Sequence, residues 1–430
     1  MKIIIYLFLI AFCTCLSGME NTENPFDQNF QGNVKISNWY FPRKHKSEAQ
    51  PKNVFSLFLR GDYNASIGNL NGRLNAYLNF DPKNVDRRRY RIDDAYISWY
   101  NDFFETKIGY QQVSWKVVEG ISQADLINQI DYELDLFSPM KLSEFCVQGR
   151  FFIGSHIIEL YYMPSFKQAL FPQKGNRYDL FAGKYPETNV NNKDIEFDGY
   201  KYFGLIKSKM KFGYLQGALR YRLVLGNYDI SLFYFEGYRR FPILVPKLNQ
   251  DSTIKIGQRY SPITSAGFAF QGNCFNSSIR GEFVFNRFRK NIYSPSGKAV
   301  SPYISYTIGI QRIFSISEIS SGEIGAFFEL IGDSDSKKDV TKLESIRLYQ
   351  NNVCLGMEFM FNNSTERAIR GMSITDYFSG DIIIQFAYLE KLFNALQCKV
   401  YFDGFAIQKS KMFSTLSKSQ KIGLDLNYFF

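Results

Sequence analysis

The sequence predicts an all-β fold: a transmembrane antiparallel β-barrel of about eighteen strands, with about sixteen as the alternative count. Three observations carry this. Segments in which apolar and polar side chains alternate with period two recur along the chain, the mark of strands with two different surroundings. Aromatic residues make up 17% of the chain, with 42 Phe and 29 Tyr, yet the mean hydropathy is −0.23, which fits aromatic girdles around a polar lumen. Short turns alternate with long polar connections, the asymmetry of a barrel with short periplasmic turns and long extracellular loops. A helical membrane protein does not fit, because no run of ~18 apolar residues follows the N-terminus.

In chain order, Met1, Lys2, the apolar run Ile3 to Phe12 and the small residues Ser17 and Gly18 read as a signal peptide over residues 1–18, too short to span a bilayer. Cys13 and Cys15 follow the run, but Phe12 and Thr14 precede them where a lipidation signal wants a small residue. Residues 19–28 then read as a short periplasmic lead, and 29–430 as the barrel. Cys146, Cys274, Cys354 and Cys398 are widely spaced with no CxxC pair, so they read as small apolar residues and not as a metal or disulfide framework.

The alternation is explicit from Phe55 onward. Phe55, Leu57, Leu59, Gly61 and Tyr63 oppose Ser56, Arg60, Asp62 and Asn64; after a turn at Ser66 to Asn69, Leu70, Gly72, Leu74, Ala76, Leu78 and Phe80 oppose Asn71, Arg73, Asn75, Tyr77 and Asn79. A dry core on both faces would strand these polar groups at several kcal/mol, whereas a water-filled lumen satisfies them. The pattern returns at Leu215 to Leu223 with Gln216, Arg220 and Arg222 opposite, and at Ile279 to Phe285 with Arg280 and Glu282 opposite. It returns again at Ile324 to Leu330 with Glu323 and Glu329, and at Val353 to Phe361 with Glu358. The segments Tyr202 to Lys211 and Arg367 to Thr375 alternate badly, which leaves the lower strand count open. The final stretch restores the pattern: Ile422, Leu424, Leu426, Tyr428 and Phe430 share one face, with Gly423, Asp425 and Asn427 on the other.

That ending, an alternating strand whose last side chain is aromatic, resembles the closing strand of bacterial outer-membrane barrels, in which the terminal aromatic, here Phe430, is the assembly signal. A second resemblance lies in Ile108-Gly109-Tyr110-Gln111-Gln112-Val113-Ser114-Trp115, then Gly120-Ile121, Asp125-Leu126-Ile127-Asn128 and Asp131, and later Glu236-Gly237-Tyr238 before Phe241-Pro242. This order, over roughly Asp93 to Pro242, is similar to a proteobacterial outer-membrane barrel family of unknown function, itself similar to alginate-export-type porins. Tyr110, Lys116 and Gln129 depart from the family's Arg, Gly and Pro. The resemblance implies an outer-membrane location in a Gram-negative bacterium. It implies a porin or solute channel for small polar solutes, with lipid, lipopolysaccharide and the barrel assembly machinery as partners. The alternative is a surface interaction protein, an adhesin built on a blocked barrel.

The connection from Ser114 to Phe145 is long enough to be functional, and Leu126, Ile127, Ile130, Leu134, Leu136 and Phe137 give it an apolar side that needs a surface. Two placements follow. Either it folds into the lumen, with Trp115, Glu119, Asp125, Asp131, Glu133 and Asp135 near a constriction, or it packs outside on neighbouring loops. The net charge is +10, from 51 Lys and Arg against 41 Asp and Glu. With Arg60, Arg73, Arg220, Arg222 and Arg280 assigned to the lumen, the pore is expected to prefer anions. The other source of the excess is external loops such as Arg87 to Arg89 and Lys337-Lys338, facing lipopolysaccharide phosphates. No nucleic-acid signature accompanies the charge. No G-x-S-x-G, P-loop or H-E-x-x-H occurs, and Ser155 and His156 point to opposite faces of a strand, so no enzyme, metal or cofactor is expected.

Overall fold

The computed structural model describes residues 26–43, 51–84, 87–172, 177–178, 189–190, 193–194, 215–248, 254–289, 301–316, 322–334, 349–361, 366–407 and 414–430. The expected signal peptide, the lead up to residue 25 and the Tyr202 to Lys211 segment lie outside the described residues.

The alternating segments form one 18-stranded sheet in which each strand pairs antiparallel with its neighbours in chain order. The first strand, Phe26–Tyr40, pairs with the second, Asn53–Ile67, and also with the last, Lys421–Phe429. Register across this seam runs from Asn33 opposite Phe429 to Tyr40 opposite Ile422, so the sheet closes without an edge. The poorly alternating stretch near Arg367 is a strand, Ala368–Asp376, which places the count at the higher of the two expected values. Tight turns have positive φ at Gly68, Gly154 and Gly226, and at the pair Phe275 and Asn276.

The two faces differ as the alternation requires. Leu74 and Leu78 are 44% and 43% exposed while Asn75 and Asn79 are 2% and 4% exposed. On the last strand Ile422, Leu424 and Tyr428 are exposed outward, and Lys421 and Asp425 are buried inward. A surface covered by exposed Leu, Ile, Phe and Tyr is stable against lipid and would aggregate in water.

Two local features set the geometry near the site. In the strand Arg89–Tyr100 the pairing shifts between Asn75 opposite Asp94 and Ala76 opposite Ile92, which leaves Asp93 as an extra residue. This bulge lets consecutive carboxylates, Asp93 and Asp94, both face inward, a placement that strict alternation forbids. On the neighbouring strand Gly109 has φ +141°, and a Cβ there would meet the Ala95 carbonyl oxygen at 2.2 Å, so the close approach admits only glycine. At the seam, Phe430 exchanges backbone hydrogen bonds with Gly32 and its ring lies 6.0 Å from that of Phe30.

Candidate functional site

The candidate site is the lumen, and the segment 112–143 decides its shape. Three buried apolar clusters line the inner wall, and this segment contributes to each. Trp115, Ala124 and Ile127 join Tyr161, Phe233, Phe235 and Val284; Tyr132, Leu136 and Phe137 join Trp39, Tyr401 and Phe405; Ile121 joins Ile331, Cys354 and Ile374. These partners sit on inward faces of strands far apart around the barrel, so the segment crosses the lumen. Of the two placements expected from sequence, the structure has the inward one.

Wall carboxylates hold it there through its backbone. Glu282, 0% exposed, accepts hydrogen bonds from the N–H groups of Val117, Gln123 and Ala124 at 2.9, 2.7 and 3.0 Å, and from the Ser122 hydroxyl at 2.8 Å. Glu329 accepts from the N–H groups of Glu119 and Gly120 at 2.5 and 2.9 Å. The Thr307 hydroxyl donates to the Ile121 carbonyl at 2.8 Å. A turn that cannot make its own ladder thus has its N–H groups satisfied by charged acceptors, the stronger kind. Glu282 and Glu329 stood out in the sequence only as polar residues opposite apolar faces; nothing local marks them as holding residues more than a hundred positions away.

The fingerprint residues fold the segment onto itself. Asn128 donates from Nδ2 to the carbonyls of Gln111 and Leu142 at 3.0 and 2.9 Å and accepts from the Val113 N–H at 2.6 Å. Asp131, fully buried, pairs with Arg89 at 3.0 Å and Arg91 at 3.2 Å, and its other oxygen accepts from the Glu133 N–H at 2.9 Å. Asp125 pairs with Lys141 at 2.5 Å. These contacts frame the short pairing of Ile130–Asp131 with Met140–Lys141. Trp115, 1% exposed, packs against Tyr161 and Phe233 with ring centroids 5.6 and 5.3 Å away.

Every arginine assigned to the lumen from the sequence faces inward and carries an acidic partner, whereas Arg87 and Arg89, expected on an external loop, are drawn inward by Asp81 and by Asp131 and Glu133. Arg60 pairs with Asp93 at 3.5 Å, Arg73 with Asp62 at 2.6 Å, Arg220 with Glu159 at 3.7 Å and Arg222 with Asp229 at 2.5 Å. Arg280 pairs with Glu119. The structure therefore does not gather them into one ring: Arg60 and Arg73 lie in a network around Asp62 and Asn75, Arg220 and Arg222 belong to the packed side, and Arg280 reaches the inward segment. His156 Nδ1 lies 2.7 Å from the Tyr221 hydroxyl.

The inward segment divides the lumen unequally. Against the strands between Glu144 and Phe288 it leaves a closely packed interior. On the other side remains a cavity of ≈ 360 Å³, bounded by the first strand and by strands between Tyr303 and Phe429. Phe327, Met372, Trp39 and Tyr401 give this cavity apolar patches, and Lys35, Gln385, Lys399, Asp403 and Asp425 give it charge and hydrogen-bonding capacity. Glu119 and Asp135 project into it from the inward segment. Lys35 and Lys399 form no ion pair among the described residues; their ammonium groups lie 5.1 and 4.8 Å from the Phe58 and Tyr401 rings. Outside the strands, Arg240 is pushed down to about 10 by burial, partly offset by Glu144, whose Oε1 lies 3.2 Å away.

Closed sheet, lipid-facing exterior and polar lumen define the class: a membrane-spanning antiparallel β-barrel with an inward-folded loop. No family model matches the chain, and no curated protein matches it in sequence. Among solved structures it is similar to the Pseudomonas aeruginosa protein OccK9 (OpdG), with 9% identity over 94% of this chain and 98% of that one and a TM-score of 0.50. It is also similar to Pseudomonas aeruginosa OccK11 (OpdR), with 10% identity over 93% and 96% and a TM-score of 0.48. A mutant of Rh. blastica porin aligns at 7% identity over 94% and 100% with a TM-score of 0.40. At these identities the likeness shows the fold alone.

Proposed function

We propose that the chain is an outer-membrane porin-type channel through which small polar solutes pass passively along the open side of the lumen. The observation that carries this reading is the ≈ 360 Å³ cavity between the inward segment and the wall, lined by charged and polar side chains inside a closed barrel. A lumen of this kind selects by width and by the charges along it. The anion preference expected from the net charge loses its main support, because Arg60, Arg73, Arg220, Arg222 and Arg280 are each matched by a carboxylate. What charge preference remains rests on Lys35 and Lys399, beside Asp425. Lipid and lipopolysaccharide surround the barrel in this reading, and Phe430 is the signal to the assembly machinery. The kinship with alginate-export-type barrels rests on the residues from Asp93 to Pro242.

A second reading, a blocked barrel that presents its loops to a partner, is favoured by the close packing of Trp115, Phe233 and their neighbours. Purified, heat-modifiable protein in planar bilayers separates the two. Stepwise conductance supports the channel, and folded protein that never conducts supports the blocked barrel.

A further inference from the structure

Lys421 opens the last strand, at the end that the channel reading places outside the cell, and is fully buried. Its ammonium lies 2.8 Å from Asp135 and 3.2 Å from Asp403. Four rings surround it: Trp39 at 4.0 Å from the centroid, Phe137 at 5.3 Å, Tyr401 at 5.4 Å and Tyr178 at 6.0 Å. A cation enclosed by aromatic faces within ~6 Å is the arrangement by which proteins recognise ammonium ligands. A lysine serving only the wall would need no more than Asp403, its cross-strand neighbour. Here half of the enclosure comes from elsewhere: Asp135 and Phe137 belong to the inward segment and Tyr178 to the connection after Met163.

The enclosure sits where it matters for passage. Of the residues around Lys421, Trp39, Asp135, Tyr401 and Asp403 also line the cavity. Beyond them, toward the extracellular end, Phe137 packs 4.5 Å from Phe405 and 6.1 Å from Tyr178, and Tyr178 packs 6.0 Å from Phe41. Trp39 is held on its ring by Arg87 at 3.9 Å, itself paired with Asp81 at 2.9 Å.

We propose that these six side chains form an ammonium-binding cage that the chain's own Lys421 occupies, and that the occupied cage latches the inward segment over the extracellular end of the cavity. The proposal rests on the channel reading and adds how its mouth is held. With the ammonium in place, Asp135 and Asp403 share one counter-charge. Without it they face each other across an apolar seam, and the segment is driven off the wall. The ligand class of the emptied cage is a primary alkylammonium.

The test uses the full chain in planar bilayers. For Lys421→Ala we expect an open probability about tenfold above the unsubstituted protein, since removing one partner of a buried ion pair is strongly destabilising. Millimolar n-propylammonium, which matches the atoms deleted beyond Cβ, should return it to the original level, and butyrate should not. Independently, Phe137→Cys with Phe405→Cys should give a channel that closes under oxidant and reopens under reductant, with the unsubstituted protein, which retains Cys146, Cys274, Cys354 and Cys398, unaffected. If Lys421→Ala does not fold, the cysteine pair alone decides. The latch is overturned if the cross-linked channel conducts like the reduced one, or if folded Lys421→Ala behaves like the unsubstituted protein. If the unsubstituted protein conducts and the lock changes nothing, the latch alone fails. If no form conducts, the channel reading fails and the latch with it.

Discussion

The two sides of the lumen are built from the same alternating strands and end up unlike. Between Glu144 and Phe288 the inward residues include Tyr161, Ala218, Phe233, Phe235 and Val284, and the inward segment fills the space against them with Trp115, Ala124 and Ile127. Between Tyr303 and the seam the segment touches the wall at Ile331, Cys354, Ile374, Tyr401 and Phe405, but beside Gln311, Glu358, Arg370, Lys399 and Asp425 it leaves a cavity. Where inward side chains are large and apolar, bringing a loop onto them removes apolar area from water at roughly 25 cal/mol per Å². Where they are charged, the same approach would strip water from groups that water satisfies, and the space stays open. The distribution of apolar residues on the lumen face therefore decides where the lumen is plugged.

The sharpest way to break this comparison is to remove a carboxylate from each side. Glu282→Ala leaves the N–H groups of Val117, Gln123 and Ala124 without their acceptor in a buried setting and should destabilise the fold by about 3 to 5 kcal/mol. Glu358→Ala removes only the partner of a half-exposed Arg370, 2.6 Å away, and should change stability by about 0 to 1 kcal/mol. Denaturation in detergent, followed by the fluorescence of buried Trp115, measures both. Similar midpoints for the two variants would mean that the sides are not distinct.

Next in size is the division between lipid and lumen, which holds on both sides. Leu74→Arg, on the exposed apolar face, should cost about 2 to 4 kcal/mol if it lies at the bilayer midplane, while inward, half-buried Asn71→Arg should cost less than about 1 kcal/mol. Refolding into lipid vesicles reads the difference, and equal penalties would contradict the assignment of faces.

Acid should act on the contact that joins the inward segment to the seam. Burial pushes the Asp135 carboxyl up, but the Lys421 ammonium beside it and the Phe137 N–H bonded to it more than offset this and hold it below the ordinary carboxylate range. A depressed folded value contributes stability that is complete above the unfolded pKa of about 3.9 and is lost as pH falls through the lower folded value. The part of the change in Trp39 fluorescence and open probability that Asp135→Asn abolishes should therefore be flat from neutral pH down to about 4 and appear below it. A transition centred near neutral pH would point to another group.

The smallest effect concerns selectivity. Lys35→Gln with Lys399→Gln removes two cations of the open side that form no ion pair among the described residues, and the zero-current potential in a salt gradient should move by a few millivolts toward cations, more at low salt than at high. Arg222→Gln, whose partner Asp229 lies 2.5 Å away on the packed side, should leave the potential nearly unchanged. The reverse result would place the solute path along the packed side.

Much of the fold is legible from local pattern alone. Alternation assigns Leu74 and Asn75, or Leu424 and Asp425, to opposite faces without reference to any distant residue, because a strand's side chains diverge every second position whatever they meet. Short turns at Gly154-Ser155 and Phe275-Asn276 then fix antiparallel order, and an apolar outward face calls for lipid. The bulge at Asp93 escaped that logic, since an extra residue changes facing without altering composition. The site escaped it more completely. Whether Ser114 to Phe145 turned inward depended on acceptors at Glu282 and Glu329 and on rings such as Phe233 and Phe405, all brought beside it only when the barrel closed. The arginines show the same division: their inward direction follows from periodicity, but their charge is cancelled by Asp62, Asp93, Glu119, Glu159 and Asp229. Facing is a property of one strand and can be read from it, whereas pairing and filling are properties of the enclosed space, which exists only once the last strand meets the first.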